Sequence, residues 1–306
     1  MLNKYRFTRR AGLKAALGAA IAAPLVSAAL PAPSALGVES QSPQLQIVTY
    51  NLEGQGTKGP KWRKRRPVAK AMLRQAQPHI VGAQEGATYT QVSHVGRDLG
   101  ENYRWLGEGS RGGRNGTINA IFYDVRRLQV VDHNTFWLSG KPNTVGSNTW
   151  GGQHVRTATW ILFKDKQDGG REFYVLNTHF DNGPQSQDVR LKSAALIGDW
   201  ISKRPPSRPF LVTGDFNSVA HKNPVYTRLL NRGGLVDTWD TAATRANEYG
   251  THCGHHNKPL VPNGDRIDWI LSDPMVTTDH TETNIFTKNN LRPSDHLPVQ
   301  AWVHLR

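Results

Sequence analysis

The chain has 306 residues, with 38 Lys or Arg against 24 Asp or Glu and a formal net charge of +14. That length allows one large domain or two small ones. With 37% apolar residues and nine Trp it can bury a core, which excludes a disordered chain and a collagen-like fibre and leaves a folded, basic protein.

Residues 1–37 stand apart. Their only charged groups are Lys4, Arg6, Arg9, Arg10 and Lys14, followed by an Ala-rich run from Ala15 to Leu30, interrupted by Pro24, and then Pro31, Pro33 and Gly37. The run is too short and too rich in Ala for a bilayer span of about 20 apolar residues, so no stable membrane anchor is expected. Basic, then apolar, then small is the order of an export signal. The stretch Thr8-Arg9-Arg10-Ala11-Gly12-Leu13-Lys14 resembles a twin-arginine signal, with Gly12 where an aromatic is more usual. The expectation is a chain exported by the twin-arginine machinery to a secreted, periplasmic or cell-surface location, with one functional domain over residues 38–306. Without the signal, a net charge of about +9 remains. Cys253 is the sole cysteine, so the fold holds no intrachain disulfide, and no cysteine lies near residue 30 to carry a lipid.

Short apolar strands then alternate with a few helices. Gln44–Tyr50 and His79–Gln84 flank a helix over Trp62–Gln75; Ile118–Tyr123, Thr157–Phe163 and Glu172–Thr178 follow as strands. A second helix spans Ser186–Lys203, with Val189, Leu196 and Trp200 on one side and Asp188 in its first turn. After strand Pro209–Thr213, a third helix starts at Asn223-Pro224, a cap residue followed by proline at the first helical position. Strands Ile267–Leu271 and Val299–His304 complete the set. Most of these strands are too apolar to have one wet face, and no linker divides them, which predicts a single α/β domain.

Two motifs carry less than they promise. Gly107-Glu108-Gly109-Ser110-Arg111-Gly112 fits G-x-G-x-x-G, but a strand follows where the dinucleotide motif needs a helix, so a basic flexible loop is the better reading. The seven bases from Lys58 to Lys70 read equally as the solvated face of the first helix or as a polyanion contact.

The chemistry lies at the strand ends. Asn51, Glu85, His179, the pair Asp215/Asn217, and Asp295-His296 each abut an apolar strand, and strand ends on one sheet edge converge in space. Oxygen ligands with imidazoles and without cysteine suit Mg²⁺ or Mn²⁺ better than structural zinc. Such an ion commonly completes its shell with water and phosphate oxygens, which points to hydrolysis of a phosphate ester.

Thr49-Tyr50-Asn51-Leu52, Gln84-Glu85, Asn177-Thr178-His179-Phe180-Asp181, Gly214-Asp215-Phe216-Asn217-Ser218, Arg266-Ile267-Asp268-Trp269-Ile270 and Ser294-Asp295-His296-Leu297-Pro298-Val299 together resemble, in order, the motifs of the endonuclease/exonuclease/phosphatase (DNase I-like) superfamily. Asn119-Ala120-Ile121-Phe122-Tyr123-Asp124 and Thr135-Phe136-Trp137-Leu138-Ser139 are similar to an exported bacterial branch of it. The resemblance implies a four-layer α/β sandwich, two packed mixed sheets with helices outside, and a divalent-metal phosphohydrolase. It makes Glu85 the principal metal ligand, with Asn51 and Asp295 beside it. Asp268 would orient His296; His296 or Asp215 would deprotonate the attacking water. His179, Asn217 and Arg156 would hold the phosphate oxygens.

The leading substrate is a phosphodiester of nucleic acid, supported by the basic charge, the Lys58–Lys70 cluster and Arg111/Arg114. The alternative is a sphingomyelinase-like or inositol-phosphate-like esterase; a lipid-cleaving version needs exposed aromatics, for which Trp150 is the candidate. A binding module that kept the fold without the chemistry would need a broken motif, and none is broken. Thr251-His252-Cys253-Gly254-His255-His256 is read either as a transition-metal site or as a His-rich loop at the cleft edge. A monomer is expected.

Overall fold

The computed structural model describes residues 42–55, 59–254 and 258–306; the expected export signal, Lys58 and the pair His255/His256 lie outside the described residues. Strand β1 (Leu45–Asn51) is buried at every position, as its apolar LQIVTYN sequence requires of a strand covered on both faces. There follow α1 (Trp62–Ala76), β2 (Ile80–Gly86), α2 (Tyr89–Leu99), β3 (Tyr103–Leu106), β4 (Ile118–Asp124), β5 (Leu128–Trp137), β6 (Thr157–Asp165) and β7 (Arg171–His179). The remainder comprises α3 (Gln187–Ser202), β8 (Phe210–Asp215), α4 (Pro224–Gly233), β9 (Val236–Asp237), the one-turn α5 (Thr238–Thr241), β10 (Thr244–Ala246), β11 (Asp268–Ser272), β12 (Thr277–Thr283) and β13 (Val299–His304).

One mixed sheet has the order β10-β12-β13-β1-β2-β4-β3 and the other β5-β6-β7-β8-β11-β9. Leu45, Ile47, Ile80 and Ile121 of the first share a core with Ile161, Phe163, Val175, Leu211 and Ile270 of the second. Outside the first sheet, α1 and α2 bury Met72, Leu73, Val92 and Val95 on Val48, Val81 and Phe122. Outside the second, α3 and α4 bury Ile197, Ile201, Val225 and Leu229 on Leu176, Val212 and Leu271. The four-layer sandwich is therefore α/β/β/α.

The eight expected strands and three expected helices are present. Helix α2 is an addition to the sequence reading. Its signal was Thr88-x-x-Gln91: Thr88 Oγ1 accepts from Gln91 N (3.1 Å) while Gln91 Oε1 accepts from Ala87 N (3.0 Å), a reciprocal capping arrangement. Asn223 caps α4 as its sequence indicates, accepting from Val225 N at 3.0 Å. Strands β3, β5, β9, β10 and β12 add to those the sequence predicts: β3, β9 and β10 are short, β5 is largely exposed along its middle, and β12, TTDHTET, carries no apolar residue.

Register places the chemistry. β1 and β2 are parallel, with Asn51 opposite Gln84, and β7 and β8 are parallel, with His179 opposite Asp215. Both pairs thus end at the same edge. Their antiparallel neighbours begin there: Asp268 opens β11 opposite Asp215, and His296 lies just before β13. Just beneath, buried amides clasp the sheets together. Asn177 Oδ1 accepts from Gln84 Nε2 (2.7 Å) and Thr213 Oγ1 (3.1 Å), while its Nδ2 donates to Ala83 O (2.8 Å) and Ala120 O (3.0 Å). Gly82 permits this approach, because a Cβ there would sit 2.0 Å from Thr213 Oγ1.

Candidate active site

From the first sheet, the amide of Asn51 donates to Glu85 Oε1 (3.2 Å) and Asp215 Oδ2 (2.9 Å), and its Oδ1 accepts from Glu53 N (2.8 Å). Glu85 has φ +55° at a bulge where the β2–β4 register shifts between Ala83 and Gly86. A non-glycine residue in this left-handed conformation breaks the strand's alternation and re-aims its side chain. The adjoining 52–54 turn is held by Arg65, a wholly buried residue of α1. Its guanidinium donates to the carbonyls of Leu52 (2.7 Å), Pro293 (3.0 Å), Glu53 (3.1 Å), Gly54 (2.9 Å) and Pro60 (2.8 Å). Arg65 thus departs from both readings of the Lys58–Lys70 cluster: it is an internal brace. Arg66 also turns back to the protein, on Asp98 at 2.7 Å.

From the second sheet, His179 Nε2 lies 3.3 Å from Asp215 Oδ2 and 3.0 Å from Asn217 Nδ2. Arg156 Nη1 donates to His179 Nδ1 at 2.8 Å, which leaves the ring hydrogen of a neutral His179 on Nε2. Arg156 is not among the residues lining the cleft; it reaches His179 from behind. Its loop is tied down by Asp181, which accepts from Gln153 N (2.7 Å), Ser186 Oγ (2.8 Å) and His154 N (3.2 Å). Asp215 Oδ1 accepts from Asn217 N at 2.9 Å, with Asn217 at φ +46°.

The final loop brings Asp295 and His296. His296 Nδ1 meets Asp268 Oδ2 at 2.8 Å, and its Nε2 lies 3.8 Å from Asp215 Oδ2. Ser294 Oγ donates to Asn51 O (2.7 Å), tying this loop to β1. The Asp295 backbone N–H donates to Glu53 Oε2 (3.2 Å). His252 packs on His296 with ring centroids 4.9 Å apart, and its Nε2 is 4.0 Å from Asp295 Oδ2.

These contacts separate the proton affinities. Burial alone would lower the His296 pKa, but the charges of Asp268 and Asp215 outweigh it and hold the ring well above the ordinary histidine value. Burial, aided by the Arg156 charge, drives His179 the other way, well below it. Burial and the Asp268 charge raise Asp215 to about 7, against the pull of His296 and the hydrogen bonds from Asn217 and Asn51.

The cleft is about 880 Å³, lined by Glu53, Glu85, His179, Asp215, Asp295 and His296 among others. Ligand atoms of Glu85, His179 and Asp215 lie within 4.8 Å of one another, as do those of His252, Asp295 and His296. Carboxylates and an amide beside imidazole fit a hard divalent cation such as Mg²⁺ or Mn²⁺. Cys253 does not join them: burial pushes its thiol pKa up, and Sγ donates to Asp295 O at 3.1 Å. Glu53, Arg65 and Asp181 escaped the sequence reading as site residues. An acid two positions beyond a strand-end Asn was the available signal for Glu53; nothing in the sequence distinguished Arg65 from its basic neighbours.

Known proteins share this fold. A solved endonuclease/exonuclease/phosphatase from Bacteroides vulgatus is 30% identical, with 87% of this chain and 100% of that one covered and a TM-score of 0.78. A mannosyl-6-phosphatase from Bacteroides thetaiotaomicron is 28% identical, covering 85% of this chain and 99% of that one with a TM-score of 0.75. Protein angel of Drosophila melanogaster is 27% identical over 119 residues, 39% of this chain, which spans 32% of that relative's length. Residues 48–296 match the Endonuclease/Exonuclease/phosphatase family across both sheets and every strand end described above, and the chain belongs to this family of phosphoester hydrolases.

Proposed function

We propose that the chain is an exported, divalent-metal-dependent phosphodiesterase that cuts nucleic-acid backbones. The observation that carries the chemistry is the 2.8 Å Asp268–His296 pair set beside Asp215 at the edge where Asn51 and Glu85 also end. Glu85, with Asn51 beside it and Asp295 in the same cleft, would hold the cation, which when bound acts as a Lewis acid and stabilises the leaving oxygen.

The chain's own groups do the rest. Asp268 fixes His296 through Nδ1, so that the imidazolium can donate from Nε2 to a phosphate oxygen. Asp215, held by Asn217 N and Asn51 Nδ2, takes the proton of the attacking water. Asn217 and His179 hold the remaining oxygens as charge grows on them. Arg156 acts through His179 by fixing its tautomer.

The net basic charge and the exposed Arg111 and Arg114 support a polyanionic substrate. A second reading, a sugar phosphomonoesterase, is favoured by the likeness to the mannosyl-6-phosphatase. The lipid-cleaving reading loses its candidate anchor, because Trp150 is half-buried against the core on the outer face of the second sheet. Plasmid DNA, RNA, mannose 6-phosphate, sphingomyelin and a nitrophenyl phosphodiester, each with Mg²⁺, Mn²⁺, Ca²⁺ or EDTA, separate these readings. Cleavage of DNA or RNA that EDTA stops is expected; turnover of the sugar phosphate alone would replace the nuclease reading with the second. N-terminal sequencing of secreted protein tests export, and material beginning at Met1 would count against a cleaved signal.

A further inference from the structure

A trough runs along α2 away from the catalytic cleft. Its near end is Tyr89, the first residue of α2, two positions after the cleft-lining Ala87. A cavity of about 620 Å³ between α2 and β3 is lined by Tyr89, Trp105, Arg97 and Arg104. It shares Arg97, Gly100 and Tyr103 with a second cavity of about 400 Å³ that extends to Arg74 and Arg126.

The floor is aromatic. Trp105 packs close to α2 at Gly96, where a Cβ would sit 3.1 Å from the indole Cδ1. Its ring lies 5.3 Å from that of Tyr89, and Arg114 stacks 4.1 Å over Tyr89 from the loop before β4. Both rings are half-exposed.

Most of the arginines in and beside the trough have no carboxylate partner. Arg74, Arg97, Arg104 and Arg114 are exposed and enter no ion pair among the described residues, whereas Arg66 and Arg126 are neutralised by Asp98 and Asp124. The exposed Glu101 is the opposing charge in the lining. A row of arginines without carboxylate partners beside stacked, half-exposed rings suits a ligand that offers phosphates on one side and flat aromatic faces on the other. Duplex bases keep those faces inside the helix; unpaired ones present them.

We infer that this trough binds single-stranded nucleic acid, with bases on Tyr89 and Trp105 and phosphates on Arg74, Arg97, Arg104 and Arg114, and leads the strand into the cleft. The inference rests on the nucleic-acid reading of the site, so its test measures binding without turnover. Fluorescence anisotropy of labelled oligothymidylate with the full chain in EDTA, over a salt series, provides this. Four arginines give a log–log salt slope of about −3, and Arg97→Gln/Arg104→Gln brings it to about −1.5. Tyr89→Ala weakens binding by about fivefold to tenfold and leaves the slope unchanged. Both variants keep the parent rate on a nitrophenyl phosphodiester with metal. A double variant with the parent slope, polyphosphate binding as tightly as the oligonucleotide, or a preference for duplex would each overturn the inference. Oligonucleotide held on the trough with no phosphodiester cut under any metal removes the nuclease reading and leaves the trough; diester cleavage with affinity indifferent to these substitutions does the reverse.

Discussion

Asp268 holds His296 through one carboxylate oxygen, 2.8 Å from Nδ1, while its other oxygen is buried without a hydrogen-bond partner among the described residues. The carboxylate charge is therefore directed mainly at the imidazole. In an environment that by burial alone would make the ring neutral, this interaction keeps it protonated.

Asp268→Asn should accordingly let burial dominate and bring the His296 pKa down. Turnover should fall on the order of 10²-fold with the fold intact. NMR titration of the His296 ring distinguishes this from a general loss of structure: an unmoved titration would show that Asp268 is not what sets the ring's charge.

Glu85→Gln removes a carboxylate from the place where Asn51 and Asp215 converge. At a cation concentration about 100 times the dissociation constant, the parent chain should gain about 2.7 kcal/mol of stability. The variant should lose most of this gain. Thermal unfolding with and without Mg²⁺ or Mn²⁺ reads the difference independently of any substrate, and an equal shift in both proteins would place the cation elsewhere.

Arg65→Met keeps bulk but removes a donor from five carbonyls around the 52–54 turn; Pro293 O keeps Tyr50 Oη and Gly54 O keeps Gln91 Nε2, while those of Leu52, Glu53 and Pro60 lose the arginine. A loss of about 3–5 kcal/mol is expected in urea unfolding. A surface base of the kind the sequence suggested would cost less than about 0.5 kcal/mol.

His79 supplies a pH signature of stability. Its Nδ1 accepts from Gln46 N at 3.0 Å, and burial together with the Arg127 charge lowers its pKa to about 4. Between about 4 and 6.5 the unfolded chain binds a proton that the folded chain refuses, so this contribution is full above about pH 6.5 and lost as pH falls towards 4. His79→Gln should lessen acid destabilisation by about 1–2 kcal/mol, allowing for the ring's partial exposure. Urea unfolding at about pH 7.5 and 4.5 measures it, and parallel acid sensitivity in both proteins would assign the effect to other groups.

The residues of the candidate site are legible in the sequence because they sit where apolar runs stop: Asn51 after IVTY and Asp215 after FLVTG are visible as polar residues ending strands. What supports those residues is not. Gln84 and Asn177 occupy strand positions and look like neighbours of a motif, yet they meet across the sheets at 2.7 Å, a contact 93 positions apart that no local pattern encodes. Arg65 differs from Arg66 only in its phase on α1, and that one-residue rotation takes it from a half-buried ion pair with Asp98 to full burial beneath the site. Arg156 was found by its place before a strand, but its position behind His179 depends on Asp181 drawing in the 153–156 loop.

The division of the site between two sheets has a consequence for how activity arises during folding. Asn51 and Glu85 stand on strands of one sheet, with His296 in the loop that enters its strand β13, and His179, Asp215 and Asp268 stand on strands of the other, with the Asn177 amide bridging the sheets. Neither half has the partners it needs until the two faces dock and that amide closes. Recovered turnover after dilution from denaturant should therefore lag the return of secondary structure and report the final docking event, making the enzyme a clock for its own assembly.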